Sequence, residues 1–150
     1  MRAAFVALVA LLVSVPVARA SVGSDEEAIN AVIMEESAAF RAGDLPRIAA
    51  CWDQAETTSV IESGHASWGW FDYRDKHLKA ELANMQVATY ELSDFRVMTS
   101  GDMAFATLHY RIVANYRGVG LRANGLKTVV LRKRDGRWRI VHTHTSVVPS

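Results

Sequence analysis

The chain has 150 residues, half of them apolar, with 17 basic and 16 acidic side chains and a formal net charge of +1. A balance so close to neutral argues against nucleic acid as the main partner. The single cysteine, Cys51, excludes an internal disulfide.

The first element is MRAAFVALVALLVSVPVARA, residues 1–20. A basic start at Arg2, an apolar run from Ala3 to Val13 and small residues at Ala18 and Ala20 make the layout of a secretory signal peptide cleaved after Ala20. The run falls short of the roughly 20 apolar residues of a membrane-spanning helix, and no later segment comes close. The expected mature chain, residues 21–150, is one exported domain, periplasmic or secreted, with no membrane contact after cleavage. Losing Arg2 and Arg19 takes its formal charge from +1 to −1.

Ser24 to Ala42 reads as a helix, with Ser24 and Glu27 forming a capping box and Gly43 as its stop. Ile29, Val32, Ile33 and Phe40 fall on one face at helical spacing. Asp44 caps a second, shorter helix with Pro46 in its first turn. Cys51 lies on the buried face of that helix, where a free thiol packs as a small apolar side chain; no local base activates it. TTSVIES, residues 57–63, is a short β-branched strand, followed by the turn-rich GHASWGW. Phe71 to Met85 reads as a third helix with Phe71, Leu78, Leu82 and Met85 along one side.

Four β-rich runs complete the chain, at residues 87–99, 102–116, 121–134 and 137–148. Their short connections, including the Asp135-Gly136 hairpin signal, make consecutive strands antiparallel neighbours. Helices first and an antiparallel sheet after them is the α+β layout. A sheet of such long strands, with three helices on one face, should curl around them and leave a cavity at its open end.

His142 and His144 in WRIVHTHTSVVPS alternate onto one strand face, expected to be shared with Trp138, Ile140 and Ser146. A strand H-x-H pair opens the metal motif of cupin barrels, but that motif continues with a Glu and a His, and no acid follows Asp135. His109, His65, His77 and Glu62 are the further candidate ligands. Without a defined third ligand, no metal is assigned, and no cofactor is expected. The two histidines either contact a ligand or tie the strand to its neighbours, and a bulge would reverse their face.

His109 and Arg111 project together from a middle strand. On a concave face they would suit an acidic ligand group; otherwise they form a solvated face or an interface. Glu62 ends the short strand, where burial would raise its pKa and fit it to act as a general base. Tyr73 opens the third helix toward the same place. Trp68, beside Gly69 and Trp70, would suit an apolar or ring-bearing ligand at a cavity mouth, or a lid over the core. There is no G-x-S-x-G elbow and no P-loop, and Gly118, Gly120 and Gly125 do not follow the dinucleotide spacing.

The order of elements, with FRAGDLPRIAACW and RKRDGRWRIVHTHTSVVPS, resembles the nuclear transport factor 2-like superfamily, which includes ketosteroid isomerases, SnoaL-like polyketide cyclases and scytalone dehydratases. The last stretch is most similar to the final hairpin of the association (hub) domain of calcium/calmodulin-dependent protein kinase II and its stand-alone bacterial relatives. The resemblance implies a cone, with a strongly curved sheet around the helices and a pocket at its open end. It also implies a homodimer through the outer sheet face, with a higher oligomer for a hub-like assembly module. The hub's pocket histidine matches Tyr73, and its arginines match His109, Val129 and Thr145, so residues 109, 129 and 145 are expected on the pocket side. His142 and His144 would then face away. The isomerase branch implies Glu62 as base, with His109 or Tyr73 polarising a carbonyl and no cofactor. Three functions follow as expectations: an exported domain that binds a small organic ligand, an isomerase, dehydratase or cyclase-type enzyme, or an oligomeric hub-like assembly module.

Overall fold

The structure is a computed structural model that describes residues 22–148. The expected leader, residues 1–20, lies outside them. Helix α1 spans Val22–Ala42, so Ser24 sits inside it and is not its N-cap. Its apolar stripe is buried as the spacing requires: Ile29 and Ile33 are fully enclosed, with Val32 and Phe40 packed at their side. Gly43 ends it in the left-handed region. Helix α2 spans Leu45–Cys51, and the Asp44 carboxylate accepts from the Arg47 amide at 3.1 Å. Cys51 is buried, and its thiol is pushed up to about 11 by burial and the Glu36 and Glu35 carboxylates, so it stays protonated.

Strand β1, Ser59–Glu62, pairs with a strand the sequence reading placed in a turn: β2, His65–Trp68. The difference lies in Ser63-Gly64, both at positive φ, which make a two-residue reversal tight enough for HASW to pair back. Helix α3 covers residues 70–84 in three continuous pieces, Trp70–Asp72, a π-helical turn Tyr73–Leu78, and Lys79–Asn84. The π-turn changes the phase of the expected apolar side. Trp70 and Leu78 are buried, Phe71 faces solvent, and Met85 already belongs to the next strand.

Strands β3 (Met85–Ser100), β4 (Met103–Tyr116), β5 (Val119–Arg134) and β6 (Arg137–Val147) form the expected antiparallel series. The six-stranded sheet has the order β2-β1-β6-β5-β4-β3 and stays open, and β1 joins β6 in parallel. The predicted α+β cone is the observed fold: a curved sheet around three helices. On β5, beside the end of β6, a Cβ on Gly125 would land on the Ser146 carbonyl, so only glycine fits. The core lies at the narrow end, where Trp52, Trp70, Leu108, Val129, Leu131, Trp138 and Ile140 pack on Ile29 and Ile33.

One register shift decides the face of the histidines. Val130 pairs with His142 but Leu131 pairs with Ile140, so Val141 is an extra residue in β6. Trp138 and Ile140 point into the core, and beyond the bulge Thr143 and Thr145 take over the inner face. His142 and His144 therefore lie on the convex side, not on the face of Trp138 and Ile140. His142 Nδ1 is 2.8 Å from Ser59 Oγ on β1, which ties the last strand to its parallel neighbour.

Candidate functional site

The wide end of the cone encloses a cavity of about 840 Å³. The last residue of β1 places Glu62 on its wall, and α3 places Tyr73, His77 and Glu81 beside it. The π-turn explains that alignment. Its repeat exceeds the 3.6 residues of an α-helix, so side chains four apart hold one face instead of drifting round it. Glu36 and Phe40 come from α1, and Tyr90, Tyr110, Tyr116, Lys127, Thr143 and Thr145 from the concave face of the sheet. Glu62 pairs with Thr145, and Thr145 with Lys127, so the three form one inward-facing row across β1, β6 and β5.

His77 Nε2 stands 3.6 Å from Glu62 Oε2 and 3.5 Å from Glu81 Oε1. Burial raises the Glu62 carboxyl above its ordinary value and the Glu81 charge adds to the rise, while His77 and Lys127 oppose it. The neighbouring Glu81 carboxylate raises His77 against the effect of burial, with a further contribution from Glu62. Both groups are thus raised above their ordinary values by the same small cluster. Donor atoms of Glu62, His77 and Glu81 lie within 4.8 Å of one another, and this trio is where the cavity could accept a divalent cation.

Deeper in the cavity, Lys127 Nζ contacts Glu36 Oε2 at 3.1 Å, with the side chains only 6% and 5% exposed. Burial by itself works against the lysine charge, but Glu36, Tyr90 and Glu62 outweigh it and raise its pKa. Tyr90 is pushed up to about 12, chiefly by burial. Tyr73 packs against Trp52 at 5.1 Å and His77 at 5.5 Å between ring centroids. Its phenol stays protonated, raised first by burial and then by the Glu36, Glu81 and Glu62 carboxylates.

Of the residues singled out in the sequence, Glu62, His65, Tyr73, His77 and Thr145 meet at this cavity. Val129 is enclosed in the core below it. His109 and Arg111 do not meet them. Tyr110 and Ile112 occupy the concave positions of β4, which sends His109 and Arg111 to the convex face, in a shallow groove with Glu91, Ser93, Asp94 and Asn124. Expecting residue 109 on the pocket side is corrected by that alternation. Trp68 is 68% exposed on β2 and does not line the cavity. His142 and His144 lie on the convex side.

Glu36, Glu81, Lys127, Tyr90 and Tyr110 went unnoticed in the sequence. Two carried a signal: Glu36 interrupts the apolar stripe of α1, and Lys127 takes an inward position in step with Val129 and Leu131.

Similar folds occur in a nuclear transport factor 2-like superfamily protein from Salmonella enterica and a ketosteroid isomerase-like protein from Erwinia carotovora. The first is 19% identical, with a TM-score of 0.76 over 85% of this chain and 94% of that one. The second is 22% identical, with a TM-score of 0.70 over 83% of this chain and 96% of that one. No curated protein matches the sequence. The sequence model of the SnoaL-like domain matches residues 29–150, which include every cavity-lining residue named above; the chain belongs to the SnoaL-like domain family.

Proposed function

We propose that the cavity binds a small organic molecule. The observation that carries this reading is its lining. A space of about 840 Å³ is walled by aromatic and aliphatic side chains and holds a few convergent polar groups, among them Glu62, His77 and Lys127. Thr145 Oγ1 is buried in the same wall without a hydrogen-bond partner, and such a group usually exists to be satisfied. Thermal-shift screening of the purified protein against small organic compounds tests the reading. Binding that is lost when Thr145→Trp fills the cavity is expected. Binding unaffected by that change would place the ligand elsewhere.

The Glu62–His77 pair favours a second reading, proton transfer on the bound molecule, as in an isomerase or dehydratase that needs no cofactor. A bound compound with an acidic C–H should then exchange it for deuterium, and Glu62→Gln should slow the exchange by about a hundredfold or more. Exchange equally fast in the variant would remove Glu62 from the chemistry and leave binding intact. Export to periplasm or medium is supported by the leader-like residues 1–20. A homodimer through the convex face is supported by its exposed apolar side chains. The likeness of the last hairpin to the kinase hub domain supports the same face as the assembly surface.

A further inference from the structure

From the charges and rings that line the cavity, we infer that its ligand is an organic cation, a protonated amine or quaternary ammonium on an apolar body. The inference rests on the small-molecule reading above and names the chemical class.

Both lysines of the lining are already matched to their own carboxylates. Lys76 Nζ lies 2.7 Å from Asp72 Oδ1, and Lys127 Nζ lies 3.1 Å from Glu36 Oε2. Glu62 and Glu81 remain, with only His77 between them. With one proton on the Glu62, His77 and Glu81 trio, one negative charge is uncompensated; with none, two are. His65 sits exposed at the rim. A carboxylate ligand would enter a site whose buried cation is taken and whose free charges are negative. An ammonium would be drawn to it, and a partly enclosed cavity screens that attraction less than open water does.

The walls favour the same sign independently. Tyr73, Tyr90, Tyr110 and Tyr116 line the cavity with Phe40. The faces of aromatic rings attract cations, and Tyr90 already has Lys127 Nζ 5.9 Å from its ring centroid. Tyr73 is 6% exposed and lines the cavity. Its hydroxyl oxygen can accept from an ammonium N–H.

Three probes of one size and shape test this by calorimetry: 3-phenylpropylammonium, 3-phenylpropanol and 3-phenylpropionate. The ammonium should bind about tenfold or more tighter than the alcohol, and the carboxylate weakest. Glu81→Gln should remove most of that preference while the alcohol binds as before, with Glu62→Gln as the second variant should the first fail to fold. Alcohol bound as tightly as ammonium would sink the cation assignment and leave the small-molecule cavity standing. Failure of all three to bind would sink both. A divalent metal held by Glu62, His77 and Glu81, seen by native mass spectrometry and displacing the ammonium, would also overturn the assignment.

Discussion

Lys127 and Glu36 are the most deeply buried ion pair among the described residues, and they show how a residue-scale choice fixes the chemistry of the cavity. Each is an inward position on its own element, where a charge can stand only if it is matched. Removing one partner leaves the other buried and uncompensated, which costs about 3–5 kcal/mol. Lys127→Met alone should therefore lower stability by that order in denaturant unfolding. The joint Glu36→Leu, Lys127→Met chain should recover most of it, since apolar replacements of a buried pair are often neutral. An additive loss would mean that the two are not coupled. Either position could be read from the sequence as a misplaced charge. That they meet could not, since 91 residues separate them.

At the scale of elements, small departures from regular geometry aim the side chains. The extra residue at Val141 sends Thr143 and Thr145 inward and the two histidines outward. The π-turn of α3 holds Tyr73, His77 and Glu81 on one wall. Neither device leaves a pattern in the sequence, because each is one residue of phase, and alternation or helical spacing alone cannot register it. The attachment of α1 is also an element-scale matter. Asp25 Oδ1 accepts from Lys133 Nζ at 2.6 Å and from Trp138 Nε1 at 3.0 Å, which joins the first turn to β5 and β6. These hydrogen bonds, led by that from Lys133, hold the Asp25 pKa below its ordinary value of 3.8. A carboxyl lowered by folding contributes stability that is present above its unfolded pKa and lost as pH falls through the folded one. Melting temperature should drop on acidification below about pH 4 more steeply in the native chain than in Asp25→Asn. Equal slopes would show that the tie contributes nothing.

For the whole molecule, the question is what covers the convex face of the sheet. Met98, Phe105, Val130 and His142 stand in register across β3 to β6 on that face, with Met98 64% and Phe105 42% exposed. Leu126, next to His109 on the same side, is 51% exposed. A second copy seated there would remove this apolar row from water. Light scattering should give a dimeric mass for the native chain and a monomeric one for Phe105→Glu with Leu126→Glu. A native chain that runs as a monomer at micromolar concentration would reject the interface, and a ring would replace it with the hub-like assembly.

The sequence by itself determined the classes and order of the elements other than β2, because helical stripes, Asx caps and hairpin turns are local patterns with local causes. It placed Glu62 and Tyr73 at the opening and identified Cys51 as packing. Tertiary structure alone decided the faces of His109, Arg111, His142 and His144, the pairing of β2 with β1, and the meeting of Glu36 with Lys127. Those outcomes depend on strand register, where a shift of one residue turns every side chain over, and on contacts between residues far apart in the chain.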